Sequence, residues 1–273
     1  MMNMKIHQIK IDFNATENIR RFVYVYLIES ENLYLIDSGV YGCQKQITEY
    51  LDKIGRKISE VKGIFITHAH PDHIGSAAWW QEHTDAVIYA SEGEKCWIEN
   101  IDIQFKERPI PNFYHLAGKS SKVNVVVKDG DEIHLDNGIT VKVLRTAGHS
   151  CDEVSYLLDD SLFIGDSVPV KSDIPIFIDE QETRNTLNIL KELKGINTYY
   201  PAWDMIYSKE MMNSRLDDAA ELIDILKNAV LTFDDGTDLK SLTERVCEKL
   251  KMPMLKENPL FARTISCLRE GVQ

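Results

Sequence analysis

Residues 63–73 read Gly63, Ile64, Phe65, Ile66, Thr67, His68, Ala69, His70, Pro71, Asp72, His73. The run from Ile64 to Thr67 is apolar and β-branched, as a buried strand requires. Three histidines and an aspartate then fall within six positions, from His68 to His73. Alternate residues of an extended segment face the same side, so His68 and His70 aim both imidazoles at one point. Asp72 and His73 turn away toward a second. Imidazole nitrogen mixed with carboxylate oxygen suits zinc, iron or manganese, whereas closed structural zinc sites more often use cysteine thiolates. The pattern therefore reads as a catalytic metal site. Pro71 and Asp72 by themselves would open a helix near His73, but capping does not account for three of the chain's eight histidines in six positions.

The remaining composition narrows the partners. A chain of 273 residues is enough for one large domain, or a domain with an appendage, and an ample core. A net charge of −12 opposes long-range attraction to phosphate backbones and anionic membranes, so neither nucleic acid nor a membrane is an expected partner. No apolar run reaches transmembrane length, and Met1 to Lys10 lacks the apolar core of a signal peptide, from which a cytoplasmic location is expected. Five cysteines (Cys43, Cys96, Cys151, Cys247, Cys267) form no CxxC pair and read as reduced, mostly buried hydrophobes. Cys151, two residues beyond His149, is a lesser thiolate-ligand candidate.

Along the chain, Phe22–Ile28 and Leu33–Ile36 read as a hairpin about residues 29–32. A helix is expected from Gln44 to Ile54, a strand at 63–67, and a helix after His73 that carries Ala77, Ala78, Trp79 and Trp80 toward the core. Ala86–Ala90 is the next strand and Glu92–Asn100 the next helix. Ile101–Lys122, interrupted by Pro109, Pro111 and Gly118, reads as a long loop or broken helix over a site. Strands follow at 123–127, 132–135 and 139–146, with a tight turn at Asn137 and Gly138, then a hairpin from Val154 to Gly165. A helix is expected after Thr183 and a short strand at 197–201. Hairpins punctuated by helices indicate mixed sheets covered by helices. Beyond Tyr207 the period is helical, Ser241 with Glu244 reads as a capping box, and a last helix spans 259–269. We divide the chain at this change, 1–207 as a metal-binding domain and 208–273 as a helical extension. The extension is expected to serve packing or a homodimer, with a substrate lid as the lesser option.

Two later segments add donors. The strand at 139–146 runs into Ala147, Gly148, His149, and the strand at 161–165 ends in Gly165, Asp166. In this order, HAHPDH, AGH and GD resemble the metallo-β-lactamase superfamily, and more narrowly its glyoxalase II-like branch. The likeness runs from about Phe22 to Asp204 and includes the strand-turn motif LIDSG at 35–39. It implies an α+β fold, an αββα sandwich of two mixed sheets flanked by helices. It places His68, His70 and His149 on a first metal, Asp72 and His73 on a second, and Asp166 between them, with Asp72 the catalytic candidate. The family's final histidine is replaced: the corresponding stretch reads Tyr200, Pro201, Ala202, Trp203, Asp204, and no histidine follows His149. An indole N–H only donates. The second position therefore loses a ligand, recruits Asp204, or is empty.

The resemblance implies one or two zinc ions, with iron or manganese as options, and hydrolysis of an ester, thioester or lactone of a small molecule by a metal-activated hydroxide. Tyr199, Tyr200 and Tyr207 are candidate oxyanion donors. Two alternatives stand beside it: a mononuclear iron oxidoreductase of the persulfide dioxygenase type, and a phosphodiesterase. A β-lactamase role is not supported, because Asp166 stands where those enzymes often carry cysteine.

Overall fold

The computed structural model describes residues 4–271. The first half builds one sheet from β1 (Lys5–Thr16), β2 (Ile19–Glu29), β3 (Leu33–Ile36), β4 (Val61–Phe65), β5 (Val87–Ser91) and β6 (Val125–Val127), hydrogen-bonded in chain order. The first three strands are antiparallel, and β3 to β6 are parallel. Parallel neighbours need crossovers, and the helices supply them: α1 (Gln44–Lys53), α2 (Pro71–Ile74), α3 (Ala77–His83), α4 (Glu92–Glu99), α5 (Ile101–Glu107) and α6 (Phe113–Ala117). The segment expected as a loop or broken helix is thus two short helices, which bury Ile101, Phe113, Leu116 and Ala117.

The second sheet comprises β7 (Glu132–His134), β8 (Thr140–Arg145), β9 (Val154–Leu158), β10 (Ser161–Gly165), β11 (Thr198–Pro201) and β12 (Tyr207–Ser208), again in chain order, with only β10 and β11 parallel. Helix α7 (Glu180–Glu192) crosses from β10 to β11. Helices α8 (Lys209–Phe233), α9 (Leu239–Leu250) and α10 (Pro259–Glu270) complete the outer layer.

Three apolar cores separate four layers. Tyr26, Ile36 and Phe65 of the first sheet meet Val143, Tyr156 and Phe163 of the second. Outside the first sheet, Val25, Leu35 and Ile64 pack on Ile47, Trp80 and Phe113. Outside the second, Leu162, Ile164 and Tyr199 pack on Leu187, Leu222, Ile223 and Phe261. This is the αββα sandwich of two mixed sheets. The last core joins strands before position 207 to helices after it, so apolar packing crosses the boundary drawn from sequence.

One strand was missed and two expectations are corrected. Strand β1 was not read from the sequence, because only Ile9 and Ile11 of its 12 residues are buried and most of the others are polar or charged. The expected capping box at Ser241 and Glu244 lies inside α9: Asp238 is the cap, its carboxylate accepting from the Ser241 amide. Of the cysteines only Cys43 and Cys247 are buried, and Cys96 and Cys151 are exposed.

Candidate metal centre

The donors gather where strand ends of both sheets meet. Asp37 follows β3, His68 and His70 follow β4, His149 follows β8 and Asp166 follows β10. Carboxyl ends of parallel strands open such crevices because the chain must leave the sheet there. His68 Nε2 and His149 Nε2 each stand 2.9 Å from His70 Nδ1. Asp166 Oδ2 lies 3.4 Å from His149 Nε2 and 3.8 Å from His68 Nε2. The four donor atoms all lie within 4.8 Å of one another. Nitrogen ligands about 2.0–2.1 Å from zinc span tetrahedral edges of about 3.3 Å, so this set fits one ion with little movement.

A second group shares Asp166. His73 Nε2 lies 3.4 Å from Asp166 Oδ2 and 3.7 Å from Asp72 Oδ2. His73 Nε2 and Asp166 Oδ1 are buried without a hydrogen-bond partner. Buried polar atoms left unpaired are costly, and a cation between them would use both. Asp204 is engaged elsewhere: one oxygen accepts from the Met205 amide at 2.8 Å, and the other takes the Tyr207 hydroxyl and faces Arg215 Nε at 3.5 Å. Trp203, one residue earlier, sits under the Arg21 guanidinium at 4.3 Å. Its indole N–H is not aligned for a hydrogen bond, yet it is among the groups that help hold the Asp166 carboxyl down.

Three of the four imidazoles are oriented from behind. His73 Nδ1–H donates to Asp37 at 2.8 Å, and His149 Nδ1–H donates to the Ile176 carbonyl at 3.0 Å. His68 Nδ1 meets the Thr67 hydroxyl at 3.1 Å, which itself donates to Asp37. Such contacts fix the tautomer and leave the opposite nitrogen free to coordinate. Ala69, between the two strand-end histidines, is held at both ends of its backbone. Its N–H donates to Glu94 of α4 at 2.9 Å, and its carbonyl accepts from Gln104 of α5 at 2.5 Å. Glu94 also accepts from the Ser150 hydroxyl and the Asp152 amide, which ties the His68–His70 loop to the His149 loop. Glycine is required at two of the bends. At Gly148 (φ +130) a Cβ would lie 2.4 Å from Thr183, and at Gly165 (φ +50) it would lie 2.5 Å from Glu153.

The electrostatics favour neutral imidazoles at the first position. Burial holds His68 and His70 well below the ordinary histidine pKa and His149 down to about 4. His73 is the opposite case: burial opposes its charge, but Asp37, Asp166 and Asp72 prevail and raise it well above the ordinary value. Burial raises the Asp72 carboxyl; at Asp166 burial is outweighed by His73, and the carboxyl is lowered. Cys151 is not among the gathered donors; although the residue is exposed, partial desolvation of its Sγ and the neighbouring Glu94 push the thiol up to about 12.

A cavity of about 430 Å³ opens over the donors, reaching His70, Asp72, His149 and Asp166 at its floor. Phe13, Ile110, Val168 and Ile174 give it apolar walls, and Met254 and Leu260 border it from the C-terminal helices. Of the three tyrosines considered, Tyr207 lines this cavity. Tyr199 hydrogen-bonds Lys209, and Tyr200 packs against Tyr26 and Phe163. Four residues that shape the site carry no motif in the sequence: Glu94, Gln104, Arg108 and Glu153. They come from α4, from α5 and its C-terminal end, and from the residue before β9, and only folding brings them to the donors.

Comparisons with known proteins agree with this geometry. The profile of the Metallo-beta-lactamase superfamily matches residues 18–200. A "Probable metallo-hydrolase YybB" of Bacillus subtilis is 27% identical over 197 residues, covering 69% of this chain and 84% of the relative. A "Hydroxyacylglutathione hydrolase" of Thiobacillus denitrificans is 29% identical over 123 residues, covering 45% of this chain and 38% of that enzyme. Among solved structures, the metallo-beta-lactamase family protein TTHA1429 of Thermus thermophilus superposes with a TM-score of 0.75 at 17% identity, covering 97% and 94% of the two chains. That likeness speaks for the fold. With the sandwich, the four gathered donors and a profile match over residues 18–200, the chain belongs to the metallo-beta-lactamase superfamily and is a metal-dependent hydrolase.

Proposed function

We propose that this hydrolase acts on an ester, thioester or lactone of a small molecule, with zinc held by His68, His70, His149 and Asp166. The observation that carries the reading is the convergence of these four donors, three of which, His70, His149 and Asp166, line an apolar cavity. Asp72 and His73, sharing Asp166, would hold a second ion. A bound divalent cation lowers the pKa of a water toward neutrality and polarises a carbonyl oxygen. The chain supplies the rest. Asp72 lies at the cavity floor with a carboxyl raised by burial; where it does not ligate a second ion, it would orient the attacking water and accept its proton. The apolar walls exclude bulk water and seat the acyl or alkyl body. The hydroxyacylglutathione hydrolase relative favours a thioester within this class.

The test is hydrolysis of matched ester, thioester, lactone and phosphodiester panels by protein loaded with zinc, manganese or iron. Turnover of a carbonyl substrate that is lost in His70→Ala, with the fold intact by circular dichroism, is the expected result. Cleavage of only the phosphodiester, or of none, would overturn the reading. Trp203 in place of the final histidine favours a second reading, a mononuclear iron oxidoreductase. One iron per chain with oxygen consumption would select it, and two zinc ions would dismiss it.

A further inference from the structure

Arg108 ends helix α5 and is 5% exposed. Its backbone amide closes the helix on the Gln104 carbonyl at 2.7 Å. The guanidinium, however, has no hydrogen bond or ion pair among the described residues, and Nη1 is wholly buried without a partner. It lies in the wall between the main cavity and a second one of about 310 Å³, and His70 and His149 border both. A buried charge without a partner is among the most expensive arrangements a fold retains. Burial brings Arg108 down to about 10, so it remains a cation at neutral pH.

The carboxylates whose field reaches Arg108 are Asp72, Asp166 and Glu94. None is available as a contact partner. Glu94 is committed to Ala69, Ser150 and Asp152, while Asp72 and Asp166 face the metal positions. The other cation nearby, Arg263, is turned to the Glu107 carbonyl at 3.0 Å. The other arginines of the main cavity are also taken: Arg21 pairs with Asp173, and Arg215 with Asp204 and the Pro169 carbonyl. Of the arginines lining the main cavity, Arg108 is the one whose guanidinium makes no hydrogen bond or ion pair among the described residues.

We propose that Arg108 is the anchor for an oxyanion carried by the substrate, so that the preferred substrate is an ester, thioester or lactone bearing a carboxylate on an otherwise apolar body. The proposal rests on the hydrolase reading above and narrows it. A guanidinium fork matches a carboxylate with two parallel hydrogen bonds, and the remaining wall, from Phe13 to Ile110 and Val168, receives the apolar part. A phosphate would satisfy the same donors, and the experiment separates the two.

The experiment compares zinc-loaded wild type with Arg108→Met and Arg108→Lys on 4-nitrophenyl hexanoate and on the mono-4-nitrophenyl ester of adipic acid, which adds one carboxylate. Butyrate esters of methyl 4-hydroxybenzoate, 4-hydroxybenzoate and 4-hydroxyphenyl phosphate move the charge to the leaving group and exchange carboxylate for phosphate. Wild type is expected to prefer a carboxylate-bearing ester. Arg108→Met should lower kcat/KM for it by on the order of 100-fold, mainly through KM, and leave the neutral esters within about threefold. Arg108→Lys should recover part of the loss. An equal fall on neutral and charged esters would assign Arg108 to the reacting carbonyl and overturn the proposal, as would a wild type indifferent to charge or one that prefers the phosphate.

Calorimetric titration with hexanoate, hexanol and hexyl phosphate reads binding without turnover. Hexanoate binding that disappears in Arg108→Met supports the anchor even if no ester is cleaved, in which case the hydrolase reading fails alone. Hexanoate binding unchanged in that variant, or absent from wild type, overturns the anchor whatever the hydrolysis shows.

Discussion

Ala69 has no functional side chain, yet its peptide is gripped from both sides by Glu94 and Gln104, and this sets the spacing of His68 and His70. Glu94→Ala would leave the Ala69, Ser150 and Asp152 donors unpaired. The expected outcome is a loss of about 3 kcal/mol in urea unfolding and metal affinity weakened by roughly 10- to 100-fold in equilibrium dialysis; unchanged affinity would show that the clamp does not position the histidines. Trp203 tests the second position. Trp203→His supplies an imidazole where the family has one, and elemental analysis after zinc dialysis should show the metal content per chain rising toward two. The site was legible in sequence where donors sit in a tight cluster, as at His68 to His73, or directly after a strand-end glycine, as at His149 and Asp166. It was not legible at Glu94 or Arg108. An acidic residue in a helix's first turn and an arginine at a helix end are ordinary on any surface, and only tertiary packing turns these two inward. Asp204 shows the converse: its place after Trp203 suggested a ligand, but Tyr207 and Arg215 engage one of its oxygens and the Met205 amide the other.

The elements that deliver these residues were mostly readable, because strands buried on both faces are continuously apolar, as at β3 and β10. β1 escaped notice since an edge strand buries one face and reads as polar alternation. The tail illustrates how local signals compete. Two acceptors near the start of α9 satisfied the expected pattern, and Asp238 wins because it precedes the first helical turn. Asp238→Ala should therefore cost about 1 kcal/mol in chemical denaturation, whereas Glu244→Ala should cost little. Leu226 of α8 is fully buried in the core that joins the tail to the second sheet. Leu226→Ala should lower stability by about 2–5 kcal/mol in a single cooperative transition. A separate early transition confined to the helices would instead mark the tail as an independent unit.

For the molecule as a whole, acidity and metal act through the same groups. In the chelated protein, His149 has a folded pKa of about 4 against about 6.5 unfolded, so between those values the unfolded chain binds a proton that the native state refuses. Stability must then fall as pH drops through that window, by about 3 kcal/mol for this one group; His68 and His70 act in the same direction. His73 has the opposite sign. Its raised pKa contributes stability that is complete below about 6.5 and is lost as pH climbs through the folded value. Urea unfolding of chelated protein across pH 4–8 should peak near neutrality, and a flat profile would contradict the buried-imidazole assignment. Zinc at a hundredfold excess over its Kd should add about 2.7 kcal/mol, read as a rise in Tm. The donors belong to opposite halves of the sandwich, His68, His70, Asp72 and His73 to one and His149 and Asp166 to the other. An ion captured there rivets two leaves whose other links at that rim are apolar packing and a few hydrogen bonds, among them those of Glu94 to Ser150 and Asp152. Docking of the leaves must precede tight capture, so a nascent chain has no high-affinity trap for stray metal until its second leaf closes, and the finished protein should surrender its ion only as fast as the leaves part.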